Sequence, residues 1–526
     1  MGRMAYGMWR VLVITLHRAL GPSHRRSLAL LGVALVAIPL WQSTFMRRLH
    51  NLDGTYRITA ARGIADQDVS GFFYFFRHLG LYPVAISAER PDYNSRYYPV
   101  ASLAVPADDS KEGARRHIVQ DGSRLIMDSR WTFRAGDRGK IFLFYPDALI
   151  RGTTRNLSVR PFHQLLFITG LCALFFAFWW VRQPLLGVLL VLFLGSNPFQ
   201  VYEVYVNENI FGLSISTVIW ILAFHIPLMG RRAPPRYMWV VPFLTGMFLA
   251  TVRTIRPDPT TIILSAGATF LLLTGVSWRR RVALVGLLVV SFGVTAAAWN
   301  AYFTAKFERA RQVVVEAGGY PYPGPVWLYH SIWHPIWCGL GDFDKKNGYV
   351  WEDRTAYSYA LPILQEKYHV DVPVLQPGHY FLDAYWDEAK VYAKLPEELP
   401  HYADVLREKI LRDISNDPQW YTGIIGNRIW RILSQTTPVQ IAIRPWRLTL
   451  PMHGLVFPLL LGVLIASRNW MFCKLICFSL PLSFTSLVIY SGQGTPYYSC
   501  YHLFTAAVLL VLLLQGSHWW WRRAKA

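Results

Sequence analysis

The chain has 526 residues, 53% hydrophobic and only 16% charged, with a formal charge of +21. That balance lies outside the soluble average, and the apolar residues come in blocks of roughly 17 to 25, the length a helix needs to cross a ~30 Å hydrocarbon core. It excludes an ordinary soluble domain. It also excludes nucleic acid as the partner of the basic residues, because no Lys/Arg-rich recognition helix or aromatic RNA-binding box accompanies them.

In chain order, residues 1–26 are too short to span and read as a cytoplasmic amphipathic segment, with Trp9, Leu12 and Ile14 interleaved with Arg10, His17 and Arg18. No small-residue cleavage site follows the first apolar run, so a cleaved signal peptide is not expected. Predicted spans are 27–45, 162–181, 184–199, 209–229, 237–254, 259–277, 282–303, 450–467, 472–490 and 497–516. With both termini in the cytoplasm, Arg25–Arg26, Arg182, Arg231–Arg232, Arg279–Arg281, Arg468 with Lys474, and Arg522–Arg523 all fall on one side. That is the asymmetry short cytoplasmic loops carry. Trp and Tyr gather at span ends, among them Trp179, Trp180, Trp239 and Trp278.

The expected fold is therefore a polytopic α-helical membrane protein of about ten transmembrane helices with extracytoplasmic α/β loop domains. It divides into the segment 1–26, the first helix 27–45, an outer loop 46–161, helices two to seven over 162–303, a mostly helical outer domain 304–449, helices eight to ten over 450–516 and a tail 517–526. In the first loop, alternating runs either side of Asp121-Gly122 predict a hairpin. A similar pattern with Gly136 and Gly139 extends the expectation to a small β subdomain at about 92–150. In the second loop, 383–415 and 417–434 read as helices, with Asp417 as N-cap and Pro418 at the first helical position. Cys172, Cys473 and Cys477 lie in apolar runs, while Cys338 and Cys500 fall outside the membrane and are candidates to pair.

The stretch N-L-D-G-T-Y-R-I-T-A-A-R-G-I, 51–64, begins just past the first span. Tyr56, Ala60 and Ile64 follow Asp53 at helical steps, so Asp53 is a natural N-cap. The stretch also resembles the first-loop signature of the glycosyltransferase C superfamily, polytopic enzymes that use polyprenyl-phosphate-linked sugars. There an Asp, often Asp-Glu, opens a juxtamembrane helix, with Tyr and Ala at similar spacing, and acts at the catalytic centre. The resemblance implies Asp53 as base, Tyr56 as a substrate contact, and transfer with inversion from a lipid-linked sugar donor to a lipid, glycan or protein acceptor. It implies a site at the outer face of the membrane, in a bacterial inner membrane. Gly54 stands where many members carry the second acid, which argues against a metal-dependent mechanism. No cofactor and no metal site are expected, and a divalent metal is not indicated.

T-V-R-T-I-R-P-D-P, 251–259, resembles the Arg-Pro ending of the fifth span in bacterial members. Arg253 and Arg256 share a helix face near the outer interface, either gripping the donor phosphate or snorkelling to headgroups. The segment 329–360 resembles a loop of the same broad group. Its His330, His334, Trp337, Asp342 and Asp353 are candidate substrate contacts, with Asp344 a further acid there. Trp333 and Trp337 suit a sugar face or an interfacial aromatic segment. His330 and His334 are four apart, but Pro335 and the lack of an adjacent Glu argue against a metalloprotease. Asp66 and Asp68 form an acid-x-acid pair, and Glu203, Asn207, Glu208 and Asn209 an outer polar patch. Rival readings are a transporter or flippase of a lipid-linked intermediate, a surface-polysaccharide polymerase or ligase, and an acyltransferase built on His330 or His334. No internal repeat of the kind carriers show is visible.

Overall fold

The computed structural model describes residues 24–49, 64–87, 103–104, 106–127, 138–155, 157–197, 201, 204, 211–229, 236–256, 258–321, 332–370, 384–386, 391–393, 399–443, 446–478, 480 and 495–523. These are mostly helical. Two helices, Arg160–Trp180 and Trp278–Glu316, are long and apolar enough to cross a membrane, and seven shorter apolar helices accompany them among the described residues. At 1.5 Å per residue, 21 residues span about 31 Å, one hydrocarbon thickness. The 39 residues of Trp278–Glu316 reach about 58 Å, so this helix has a long surplus to offer other parts of the protein.

The predicted spans at 27–45, 162–181, 184–199, 209–229 and 497–516 fall on His24–Leu49, Arg160–Trp180, Pro184–Ser196, Phe211–Met229 and Thr495–Arg523. They share one apolar core, which includes Phe167, Leu171, Leu190, Leu194, Ile219, Leu222 and Phe504. Glycines set the closest approaches. A Cβ on Gly195 would lie 2.3 Å from the Gln42 amide, and one on Gly246 would lie 2.0 Å from the Ser291 hydroxyl. Helix Val240–Arg253 can thus lie directly on Trp278–Glu316.

Two predicted spans begin or end differently. Residues 259–277 contain the helix Ile262–Leu271, and chain beyond it turns. Residues 450–453 belong to strand Trp446–His453, which pairs antiparallel with Thr436–Ile443, Ile443 opposite Trp446 and Thr436 opposite His453. The period of two in Trp446, Leu448, Leu450 and Met452 carries the strand, and the following helix starts only at Val456.

The first lobe, 64–159, has a core of Phe72, Phe73, Tyr82, Val84, Leu125 and Phe144 that continues into Phe303, Phe307, Ala310 and Val314 of the long helix. The predicted hairpin at Asp121-Gly122 is not formed. Lys111–Gln120 is a helix, capped by the Ser110 hydroxyl accepting the Gly113 N–H. Asp121 takes His117 Nδ1 at 2.7 Å and Arg124 at 3.3 Å. Gly122 is there because a Cβ would meet the Ala317 carbonyl oxygen at 2.2 Å, not to make a turn between strands. Of the expected β subdomain, the described residues contain a three-stranded sheet with Ala85–Ser87 between Leu103–Ala104 and Leu125–Ile126. Arg138–Phe144, expected as strand, is a 3₁₀ helix, tied to the bundle by the Gly139 N–H donating to the Thr254 carbonyl at 2.8 Å.

The second lobe packs Trp337, Leu340, Tyr357, Leu364, Tyr402, Leu406 and Ile410 into a core of its own. Helix Pro418–Ser434 is as predicted, with the Asp417 carboxylate accepting the Trp420 N–H and Pro418 in its first turn. The helix expected over 383–415 is confined to Tyr402–Asn416, preceded by the short pair Ala384–Trp386 and Val391–Ala393. Pro396 and Pro400 explain the late start, since each lacks the N–H a helix interior needs.

Candidate functional site

The residues that share a site lie in 332–353 and the helices facing it. Helix Trp333–Leu340 carries His334 and Cys338 one turn apart on its buried side. After Leu340 the chain doubles back so tightly that a Cβ on Gly341 would sit 2.2 Å from the Val350 carbonyl carbon. Asp344 holds this return loop: its carboxylate accepts the N–H of Lys346 at 2.9 Å, Asn347 at 3.1 Å and Tyr349 at 2.8 Å, plus Trp420 Nε1 at 2.9 Å. Burial works against its charge, yet these bonds keep the carboxyl below the usual carboxylate range.

The loop delivers Asp353, the first residue of helix Asp353–Tyr368, to the face of His334. His334 Nε2 lies 3.0 Å from Asp353 Oδ1, and its Nδ1 lies 2.7 Å from the Tyr402 hydroxyl. The Cys338 sulfur is 3.5 Å from the same carboxylate oxygen and 3.8 Å from Nε2. Tyr357 stacks on the imidazole, ring centroids 5.2 Å apart. His334 is 5% exposed, whereas the Asp353 side chain is 59% exposed, so the cluster is closed on the protein side and open towards solvent.

This geometry separates two kinds of chemistry. A thiol–imidazole–carboxylate relay needs thiol and acid on opposite ring nitrogens. Here both face Nε2, and Tyr402 takes Nδ1. With both nitrogens engaged, His334 is not placed to act as the base of an acyl transfer.

The other predicted contacts fall into different roles. Trp337 is 1% exposed and packs between Tyr349 at 4.6 Å and Tyr359 at 5.0 Å, so it offers no face to a sugar. Lys409 lies over the same three rings and donates to Asp413 at 2.6 Å, closing the floor beneath the cluster. Asp342 pairs with Arg431 at 3.4 Å and ties the loop to helix Pro418–Ser434. Cys338 carries a thiol, and the side chain of Cys500, its considered partner, lies outside the described residues.

Arg253 ends helix Val240–Arg253, exposed, with its guanidinium 5.8 Å from the Phe292 ring centre. Arg256 is partly buried and already engaged within the protein. The flanking Val252 and Ile255 belong to the first lobe's core, so the arginines and the 333–353 segment sit in different packing units. Asp53, Tyr56 and His330 lie outside the described residues, as do the side chains of Asp66 and Asp68.

A second polar cluster holds the first lobe. The Asp109 carboxylate meets His78 Nε2 at 2.7 Å, the Thr154 hydroxyl at 2.8 Å and the Thr154 N–H at 2.6 Å. Burial opposes its charge, but these bonds keep the carboxyl below its ordinary range. Tyr74 donates to the Asp108 carbonyl at 2.8 Å, and burial first, then the Asp108 and Asp109 charges, push its phenol up to about 12. The network joins three segments and has the character of a clamp.

Sequence reasoning missed Cys338 and Tyr402 as members of this cluster. The i, i+4 step from His334 to Cys338 was visible; the contribution of Tyr402 from 68 residues away was not. No family model, curated protein or solved structure matches the chain.

Proposed function

We propose that this chain is a polytopic membrane glycosyltransferase resembling the glycosyltransferase C superfamily. It moves a sugar from a polyprenyl-phosphate donor to a lipid, glycan or protein acceptor at the outer face of a bacterial inner membrane. In this reading about ten spans cross the bilayer, both termini are cytoplasmic, and the two lobes are outside.

One observation carries the reading beyond the sequence resemblance. Around the end of the first helix, polar side chains are fully buried among apolar ones. Gln42, seven residues before the helix ends at Leu49, donates to the Gly195 carbonyl at 2.8 Å. Ser196 and Asn197 follow in the chain, and Ser214 and Thr217 of helix Phe211–Met229 and His502 and Thr505 of helix Thr495–Arg523 are likewise 0% exposed. Strand Thr436–Ile443 packs on both Pro184–Ser196 and Thr495–Arg523. Ionisable groups kept inside an apolar helix bundle are costly and commonly line substrate paths, and His502 is one; buried Gln, Asn, Ser and Thr side chains also serve as hydrogen-bonding contacts between helices. Asp53 stands four residues beyond Leu49, next to this polar region in the chain.

In the proposed reaction Asp53 takes the proton of an acceptor hydroxyl as that oxygen attacks the anomeric carbon. The bond to the phosphate breaks, and polyprenyl phosphate leaves with the electron pair. The donor is an activated leaving group, so no general acid is required, and one displacement inverts the anomeric centre. Arg253 and Arg256 counter the developing phosphate charge.

The test is transfer by membrane vesicles containing the full chain, offered a panel of polyprenyl-phosphate hexoses and pentoses. Asp53→Asn should lower turnover ~100- to 10,000-fold at equal protein level, the usual contribution of base catalysis. Transfer by the Asn variant at the wild-type rate would overturn the assignment of Asp53. Movement of the labelled lipid across the vesicle membrane with no new glycosidic bond would overturn the enzyme reading.

A further inference from the structure

We infer that His334, Cys338 and Asp353 form a mononuclear zinc site with one coordination position open to solvent. The inference is independent of the sugar-transfer reading, since it concerns a different part of the protein and is tested by metal rather than by turnover.

Three donor atoms of three kinds meet at one place: imidazole nitrogen, thiol sulfur and carboxylate oxygen, all within 4.8 Å of one another. Tetrahedral zinc holds such atoms at about 2.0–2.3 Å, which sets them about 3.4–3.6 Å apart. The separations here are 3.0, 3.5 and 3.8 Å. These are also hydrogen-bond distances, so the three donors already face one another, and a cation at the centre would take the place of the shared protons with only small shifts of the side chains.

The imidazole is also turned the right way. With the imidazole proton on Nδ1, the Tyr402 hydroxyl 2.7 Å away accepts it and the Nε2 lone pair faces Cys338 and Asp353. Metal-binding histidines are generally fixed by such a partner on the far nitrogen. Stacking on Tyr357 at 5.2 Å fixes the ring plane. The donors sit on rigid supports, two on consecutive turns of one helix and the third on the first residue of the next.

Donor chemistry selects the metal. A thiolate with an imidazole suits zinc and disfavours magnesium and calcium, which take oxygen. Bound as thiolate and carboxylate, Cys338 and Asp353 neutralise Zn²⁺, the thiol proton leaving to solvent, and His334 binds through the imidazole nitrogen. Structural zinc sites use four protein ligands; the three met among the described residues, with an exposed side, leave room for water or a ligand atom. Asp353, 59% exposed, marks that side.

The experiment uses the purified full-length chain in detergent, stripped by chelator and reloaded with Zn²⁺ or Co²⁺ alone. Wild type should retain one zinc per chain, and its cobalt form should show a thiolate charge-transfer band with tetrahedral visible bands. Cys338→Ser should abolish the charge-transfer band, and Asp353→Asn should weaken zinc binding. Tyr402→Phe, acting only through His334, should weaken affinity about 10- to 100-fold while the charge-transfer band persists. Circular dichroism and gel filtration show whether each variant remains folded. Substoichiometric zinc in the wild type, or equal zinc and an unchanged cobalt spectrum in Cys338→Ser and Asp353→Asn, would overturn the inference.

Discussion

The two lobes solve the same problem in opposite ways. The first, 64–159, has no closed core: Phe72, Tyr82 and Phe144 finish their packing against Phe303, Phe307 and Val314 of the helix Trp278–Glu316. The second, 332–434, has a core of its own from Trp337 to Ile410, and among its described residues Ile432, at the far end, joins the core of the helix bundle. A lobe built on a membrane-length helix inherits that helix's stability. A lobe with its own core is free to fail alone, and it is the one that carries the His334–Cys338–Asp353 cluster.

The sharpest way to break this comparison is a matched pair of core truncations. Trp337→Ala and Phe307→Ala each remove a fully buried aromatic side chain, at a cost of about 3–5 kcal/mol. The first should open only the second lobe, so limited proteolysis cuts within 332–434 while 64–159 stays protected. Phe307→Ala should lower the main thermal transition of the whole protein. If its cleavage instead stays within 64–159, the shared core is not a mechanical unit.

A smaller effect sharpens the junction. Gly122→Ala places a methyl group where the Ala317 carbonyl oxygen lies 2.2 Å away, just past the C-terminal end of the long helix. Backbone cannot swing aside as a side chain can, so overpacking of about 1–3 kcal/mol is expected. The main transition should fall while metal content of the second lobe stays constant. A variant as stable as wild type would show that this contact yields.

What was legible in the sequence follows the same division. Apolar blocks announced the bundle helices, and Asp417-Pro418 announced the start of Pro418–Ser434, because both signals are local. Asp121-Gly122 misled because the glycine answers to Ala317, far along the chain, rather than to its neighbours. Trp337 misled because composition says that an aromatic is present but not whether it faces water or a core. The candidate site was half legible. His334 and Asp353 stood out by residue type, but only the tight turn at Gly341 brings them together, and nothing near them in sequence pointed to Tyr402.

The smallest expected effect tests whether the self-contained lobe depends on its return loop. Asp344 has a folded-state pKa below its ordinary value, because four hydrogen bonds favour the carboxylate more than burial disfavours it. A depressed pKa gives stability that is fully present above the unfolded value, about 3.9, and is lost as pH falls through the folded one. From neutral pH down to about 4, this group should therefore leave the lobe's stability unchanged; below that it should erode it. Asp344→Asn keeps one carbonyl acceptor and gives up the charge, so a loss of about 1 kcal/mol is expected at neutral pH. The gap between variant and wild type should narrow on acidification, since the protonated Asp344 carboxyl and the variant's side-chain amide offer nearly the same donor–acceptor set. Trp420 reports on it directly, its indole N–H being bonded to the Asp344 carboxylate at 2.9 Å. Fluorescence melting of the second lobe at neutral and acid pH reads the gap. A gap that stays constant would mean that the carboxylate's charge contributes nothing, and that the loop is held by shape alone.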